Sequence, residues 1–452
     1  MNKMLIPFLM VVPSVCLPAT GAQATPEIEV VAEEDVYTFV NPNNGSGPLW
    51  CYGSTEIARL GDTVVVSQME TGEDVPPYSN TRWRLLRRTH GDWRLVAEPE
   101  RYRQREDCPL AVTSNKDLFL YVNDAQYPPE QRGGPCEPHL LKFSFNGERA
   151  RQTKITPSWP TEPAFTEHSY RGLAADRASN HVLMLNIDNK EGRGAPLRAC
   201  LMKASGKVVA NGAIAYPIRA CYPQVALRNR AVHVLAISDI VEPIEAWRKF
   251  KFEQTGRSWD FVFRVLYYTY TPDLKKHDFF EPIEIANVDK TAGYIANLDL
   301  WLSPRDEAYI LYSEREVASK LMRDKFFPDK SDRSLIADLH LAVLQNGQIV
   351  SRRVLIPGTD KRQCGYGRFH EAADGTLYAL LHVSGQDVPL NLMQIYPPLA
   401  DPPLIPIPLK MPMGSFCLAN VRAGNKPSDI IDMLGHTKGN TLGYAQLRLE
   451  KK

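Results

Sequence analysis

The chain has 452 residues, with 53 basic and 52 acidic side chains and a formal net charge of +1. That balance excludes a general electrostatic pull toward nucleic acid or an anionic membrane. The 35 prolines and the scarcity of long amphipathic helical stretches exclude a helical bundle and point to a loop-rich β protein.

Residues 1–24 read as a secretory signal peptide. Lys3 supplies the positive start, Met4 to Leu17 the apolar segment, and Ala22-Gln23-Ala24 the small-x-small cleavage site. The mature chain is expected to begin near Thr25 and to be secreted or periplasmic. No later segment is long and apolar enough to span a bilayer. Glu27 to Val40 contains EIEVV and VYTFV, both strand-like by their β-branched content.

A unit then recurs seven times: an apolar strand, a tight polar turn and a second apolar strand. The copies open at Cys51, Cys108, Tyr170, Cys221, Asn297, Gly367 and Cys417, and their turns fall near Gly61, Asn115, Asn180, Asn229, Asp306, Asp374 and Asn425. A β unit recurring every 49 to 77 residues suggests propeller blades of about four strands each. Further hairpins supply third and fourth strands, such as TRWRLLRRTHGDWRLV after the first copy and HLLKFSFNGERARQTKIT, with its Asn146-Gly147 turn, after the second. The expected fold is all-β: one seven-bladed β-propeller domain over residues 25–452. The N-terminal strand should pair with the last copy, closing the ring, with TLGYAQLRLE as an outer strand there.

Insertions fall between second and third strands: Met69 to Asn80, Asp124 to Pro138, Ile240 to Trp259 and Arg315 to Arg333. These loops open on the face where first strands begin, and long loops on a rigid scaffold commonly carry function. The third includes EPIEAWRKFKFEQTGRSW, a basic and aromatic stretch with room for a short helix.

Seven cysteines follow the leader: Cys51, Cys108, Cys136, Cys200, Cys221, Cys364 and Cys417. Most sit at blade openings near the axis. One reading makes them small buried residues fitting a narrow space. The other allows one or two disulfides in an oxidising compartment, Cys108 with Cys136 or Cys51 with Cys417. No cofactor is expected, because the chain has no G-x-G-x-x-G, phosphate loop or H-E-x-x-H. No metal ligand set is assigned; a structural Ca²⁺ is the one ion the fold class leaves room for, although no D-x-D-x-D loop occurs. A monomer is expected.

The first strands and long loops should together line one mouth. Copy three opens with Glu167-His168-Ser169-Tyr170-Arg171, and copy four with Tyr222-Pro223-Gln224, its loop adding Glu242, Glu245 and Arg248. Later copies contribute Tyr294, Asn297 and Asp299, then Arg362, Tyr366, Arg368, His370 and His382, then His436. This mixture of His, Tyr and Arg suits an acidic sugar. Arginine holds a carboxylate through two parallel hydrogen bonds, which eases removal of the uronate C5 proton. A His or Tyr can take that proton and a Tyr hydroxyl can protonate the departing oxygen. The outcome is chain cleavage by β-elimination. His168, Tyr222 and Arg248 are the candidate catalytic residues; Tyr170, Arg171, Gln224, Asp299, Arg368, His382 and His436 are candidates for binding an acidic polysaccharide or oligosaccharide.

The repeats resemble the sialidase-type, BNR-repeat propellers, although the full Asp box is absent and His90-Gly91-Asp92-Trp93 is a fragment of it. The chain is also similar to the seven-bladed propeller polysaccharide lyases of the ulvan-lyase type. That resemblance implies a site built from a blade-opening His, matched by His168, and a Tyr opening the next blade, matched by Tyr222. It also implies an Arg in that blade's loop, for which Arg248 is a looser match because the intervening segment is longer. The second His of such sites has no counterpart, since Asp188, Asn189 and Lys190 stand there. Two other classes compete. A glycoside hydrolase needs two carboxylates about 5 to 10 Å apart, available among Glu70, Glu167, Asp188, Glu242, Asp299 and Glu314; a sialidase would use Tyr with Glu and an Arg cluster. A non-catalytic propeller would bind glycan or protein through its aromatic loops.

Overall fold

The computed structural model describes residues 26–147 and 149–450; the expected signal peptide and its cleavage point lie outside them. Seven four-stranded antiparallel sheets form the body. Their inner strands are Ile57–Leu60, Leu110–Val112, Gly172–Asp176, Ala220–Arg228, Tyr294–Leu302, Gln363–Glu371 and Phe416–Leu418. Each inner strand touches the next, and the seventh touches the first, so the chain is a closed seven-bladed propeller.

Local chemistry explains the repeat. Every turn from inner to second strand contains a residue at positive φ: Gly61, Lys116, Asn180, Asn229, Asp306, Gly375 and Gly424. Gly, Asn and Asp, which tolerate that conformation best, fill six of the seven. Apolar residues of neighbouring blades interdigitate between the sheets. Leu110, Val112, Leu118 and Leu120 of the second blade, for example, pack on Ala58, Val65 and Leu85 of the first. Each large side chain buried this way contributes about 1.5–3 kcal/mol relative to exposure.

The ring closes as expected, with one refinement. EIEVV and the following VYT belong to a single strand, Glu27–Thr38, which pairs along its length with Thr441–Glu450 through two bulges. Thr441–Glu450 is therefore the third strand of the last blade, and the N-terminal strand is its outer edge.

The axis is filled. On one face the turn around Ala423 crosses the centre, where its carbonyl accepts Val112 N at 2.8 Å and that of Arg422 accepts Ala175 N at 2.9 Å. Midway, Arg422 pairs with Asp299 at 2.6 Å, both buried, and Asp299 also accepts Phe369 N at 2.8 Å. Arg422 donates to Gln224 at 3.2 Å, and Gln224 donates to the Asn297 carbonyl at 3.0 Å. Arg368 donates to the carbonyls of Leu298 and Tyr52. Toward the other face, Gly53 of the first blade packs so tightly that a Cβ there would lie 2.2 Å from the Pro223 carbonyl of the fourth. The plug leaves the rim of blade openings as the place for a site.

The disulfide expectation is overturned. The seven cysteines among the described residues are free and buried; five are small residues at crowded blade openings, and Cys136 and Cys200 lie in the third strands of the second and third blades. Among the described residues no helix is long and apolar enough to cross a membrane.

Candidate functional site

Three blade openings converge beside the plug: residues 105–107 before the second blade, 168–171 before the third and 219–222 before the fourth. His168 Nδ1–H donates to Glu106 Oε1 at 2.7 Å, and Ser169 Oγ donates to Glu106 Oε2 at 2.8 Å. The Tyr170 hydroxyl donates to His168 Nε2. These bonds assign the imidazole tautomer, and Glu106, His168 and Tyr170 form a continuous chain. Glu106 is fully buried, whereas the His168 side chain is 21% exposed. The Arg219 guanidinium lies 5.1 Å over the Tyr170 ring and is anchored by donating to the Asp239 carbonyl at 2.8 Å. Tyr222 meets Tyr170 edge-on at 4.8 Å and stacks on Tyr52 at 4.8 Å.

Backbone geometry aims these rings. Tyr170 and Tyr222 have φ values of 45° and 51°, a left-handed conformation that bulky residues rarely adopt and that costs about 1–3 kcal/mol each. Tyr222 also lies in a break of the strand register between Cys221 and Gln224, which turns its ring out of the sheet toward Tyr170.

The electrostatics follow. Burial alone would raise the Glu106 pKa. The His168 hydrogen bond and the charges of His168, Arg105 and Arg171 outweigh it and bring Glu106 down to about 2. His168 is pulled both ways: burial and the Arg105 and Arg219 charges lower its pKa, Glu106 raises it, and the lowering influences prevail. Burial pushes the Tyr170 phenol well above its ordinary range, against the pull of Arg219. Near neutral pH, Glu106 is therefore ionised, His168 is neutral with its Nε2 lone pair accepting the Tyr170 hydroxyl, and Tyr170 holds its proton.

Of the expected site residues, His168, Tyr170 and Tyr222 come together, but the hydroxyl bonded to His168 belongs to Tyr170, not Tyr222. The others lie elsewhere, each for a physical reason. Arg171 is buried beneath the site, donating to the carbonyls of Tyr121 and Glu106 at 2.8 and 3.0 Å. Gln224, Asp299 and Arg368 belong to the axial plug, with their polar atoms engaged by protein partners. His382 lies in the sixth blade, and His436 in the seventh, against the Phe39 ring and the Pro48 carbonyl. Arg248 stands on helix α1 (Glu245–Thr255). Trp247 and Phe250 of that helix pack on Phe326 and Phe327 of the fifth-blade insertion, which turns Arg248 to solvent. The position lacking the second His is structural: Asp188 accepts Ala164 N at 2.9 Å and pairs with Arg198.

The carboxylates available to a hydrolase are also committed. Glu70 is held by Arg82 and Arg84, Glu242 by Arg264 and Lys251, Asp299 by Arg422, and Glu314 by Arg352. Glu167 accepts Gly134 N at 2.9 Å. Glu106 and Arg219 escaped the sequence reading because the repeats were opened at Cys108 and Cys221, two residues too late. The signal was there: His168 precedes its inner strand as Glu106 and Arg219 precede theirs. Among the described residues no cluster of three or more His, Cys, Asp or Glu is placed to hold a metal ion.

Comparison of the whole fold with solved structures finds a PL25 ulvan lyase bound to -[GlcA(1-4)Rha3S]-. It has a TM-score of 0.54 and 9% identity, over 93% of this chain and 96% of that one. The architecture is that of the ulvan-lyase propellers. A second PL25 ulvan lyase structure aligns with the same TM-score of 0.54 and 9% identity, over 93% of this chain and 96% of that one. The polysaccharide lyase Uly1 aligns at 0.50 and 8% identity, over 88% of this chain and 90% of that one. At such identities the likeness is one of fold. No family model and no curated protein matches the sequence.

Proposed function

We propose that this protein acts outside the cytoplasm and cleaves a uronate-containing polysaccharide by β-elimination. The observation that carries the reading is the Glu106–His168–Tyr170 chain with the Arg219 guanidinium beside it. The similar propeller bound to a glucuronate-containing repeat supports a uronate substrate.

In this reading Arg219 binds the uronate carboxylate and stabilises the charge that develops as C5 loses its proton. The Tyr170 hydroxyl turns from His168 Nε2 to the glycosidic oxygen, and Nε2, neutral and oriented by Glu106, takes the C5 proton. Tyr170 gives its hydroxyl proton to the glycosidic oxygen on C4. The C4–O bond breaks and the C5–H electrons become the C4=C5 double bond. The proton on Nε2 then passes to the Tyr170 oxygen along their hydrogen bond, restoring both groups. The net transfer is one proton from C5 to the leaving oxygen. Base and acid adjoin, so they act on one face of the sugar ring, and the elimination is syn. Tyr52 and Tyr222 form the floor.

A panel of uronic-acid polymers, followed by the ultraviolet absorbance of the conjugated double bond, tests the proposal. An absorbance rise that His168→Ala abolishes is expected. Chain cleavage without that absorbance would refute it. The capture of five of the six candidate carboxylates by cations disfavours the hydrolase reading.

A further inference from the structure

The fourth-blade insertion builds a feature that the chemistry at His168 does not use. Ile240–Val241 pairs with Phe261–Val262 as a small extra hairpin. Its base is locked by ion pairs: Glu242 with Arg264 and Lys251, and Lys251 with Asp260. Aromatic residues stand at 259, 261 and 263, alternate positions that extended chain turns to one side. Trp259 is 67% exposed, yet its ring is held against Phe261 at 4.4 Å and 29°. Phe263 follows, 6.0 Å from Tyr222 and 6.2 Å from Tyr294. Tyr294 is 39% exposed. The guanidinium of the half-buried Arg315 sits 5.8 Å over it.

Folding does not require a tryptophan fixed flat in solvent, and exposed aromatic patches on a rigid support mark binding sites. Two features select the occupant. The surface is a few rings, Trp259 against Phe261 and Phe263 near Tyr222 and Tyr294, whereas a stable protein interface takes roughly 800 Å² and about 20–30 residues per partner. The Arg315 guanidinium lies beside the Tyr294 ring, the cation that an anionic ligand requires. Aromatic faces also suit the C–H-bearing faces of sugar rings.

We propose that Trp259, Phe261, Phe263 and Tyr294 form a lane for consecutive sugar rings of an acidic polysaccharide leading to His168 and Tyr170, with Arg315 meeting one of its anionic groups. The lane rests on the lyase reading only for the substrate's identity. It lies to one side of the reacting pair, so longer chains bind more tightly.

Native electrophoresis through gels containing alginate, polygalacturonate, hyaluronan or ulvan, with a neutral β-glucan gel as reference, tests the lane without requiring turnover. The full-length wild type should be retarded in at least one acidic gel. Trp259→Ala should weaken that retardation about tenfold, the scale of losing one aromatic anchor. Arg315→Gln should weaken it as well, and His168→Ala should preserve it. Thermal melts confirm that the surface variant Trp259→Ala is folded. No retardation in any acidic gel, equal retardation in the neutral gel, or a Trp259→Ala protein retarded like the wild type would each overturn the inference. Retardation that depends on Trp259, in a protein yielding no unsaturated product, would uphold the lane while removing the elimination chemistry.

Discussion

Replacing Glu106 by Gln removes one charge and almost no volume, and the structure fixes what should follow. The wild-type carboxyl lies at about 2 against an ordinary 4.5, a ceiling of roughly 3 kcal/mol in favour of the ionised form, part of which comes from a His168 charge that is absent while His168 is neutral. Because the folded pKa is depressed, this stability is present above the ordinary carboxylate pKa and lost as pH falls toward 2. Glu106→Gln should be less stable near neutral pH by about 1–3 kcal/mol, with Arg105 and Arg171 left short of countercharge. The difference should shrink progressively below pH 4.5. Denaturant melts at several pH values measure it. The catalytic consequence is separate. Glu106 raises the His168 pKa and holds its tautomer, so its loss should lower the rate by about 10²- to 10⁴-fold. The acidic limb of kcat/KM should also move to lower pH. A variant that keeps both the wild-type rate and the wild-type limb would refute the account of Glu106 as the group that orients the base.

Other outcomes follow from the same geometry. In the wild type, kcat/KM should fall with acid through a pKa below the ordinary imidazole value of 6.5, because His168 must be neutral to act; a limb well above that value would contradict the assignment. Tyr170→Phe should lower kcat by about 10²-fold or more, whereas Tyr222→Phe, which keeps the edge-on ring, should cost far less; steady-state kinetics on the cleaved polymer decide between them. Arg219→Lys should raise KM and lower kcat, since a point charge replaces a bidentate fork, while Arg248→Ala should leave both near wild type. Thiol titration of the unfolded protein should find all seven described cysteines free without reductant, and fewer would restore a disulfide.

The propeller was legible because its signal is local and repeated: a turn needing positive φ between two apolar strands recurs at every blade. Ring closure was legible for the same reason, as an unpaired edge at each end has one partner. The site was legible only in part. His168, Tyr170 and Tyr222 could be read because each stands at the opening of an inner strand. Gln224, Asp299 and Arg368 stand there too, yet they point into the axis. Nothing local separates a polar residue facing the mouth from one facing the plug, since the difference comes from the turn at Ala423 arriving from the opposite side of the ring. Arg248 fails similarly. Which side of a short helix meets solvent is set by Phe326 and Phe327, far along the chain. Of the two readings the cysteines allow, that of small buried residues fits the free, buried thiols, and the disulfide reading, which rests on compartment rather than geometry, fails.

The central claim is that the polymer breaks by loss of a proton rather than by addition of water. Cleavage of the responsive uronate polymer in heavy-oxygen water, with products analysed by mass spectrometry, tests this most directly. The account predicts unsaturated ends one water lighter than hydrolysis products and free of the heavy label. Saturated products with heavy oxygen at the new reducing end would contradict it.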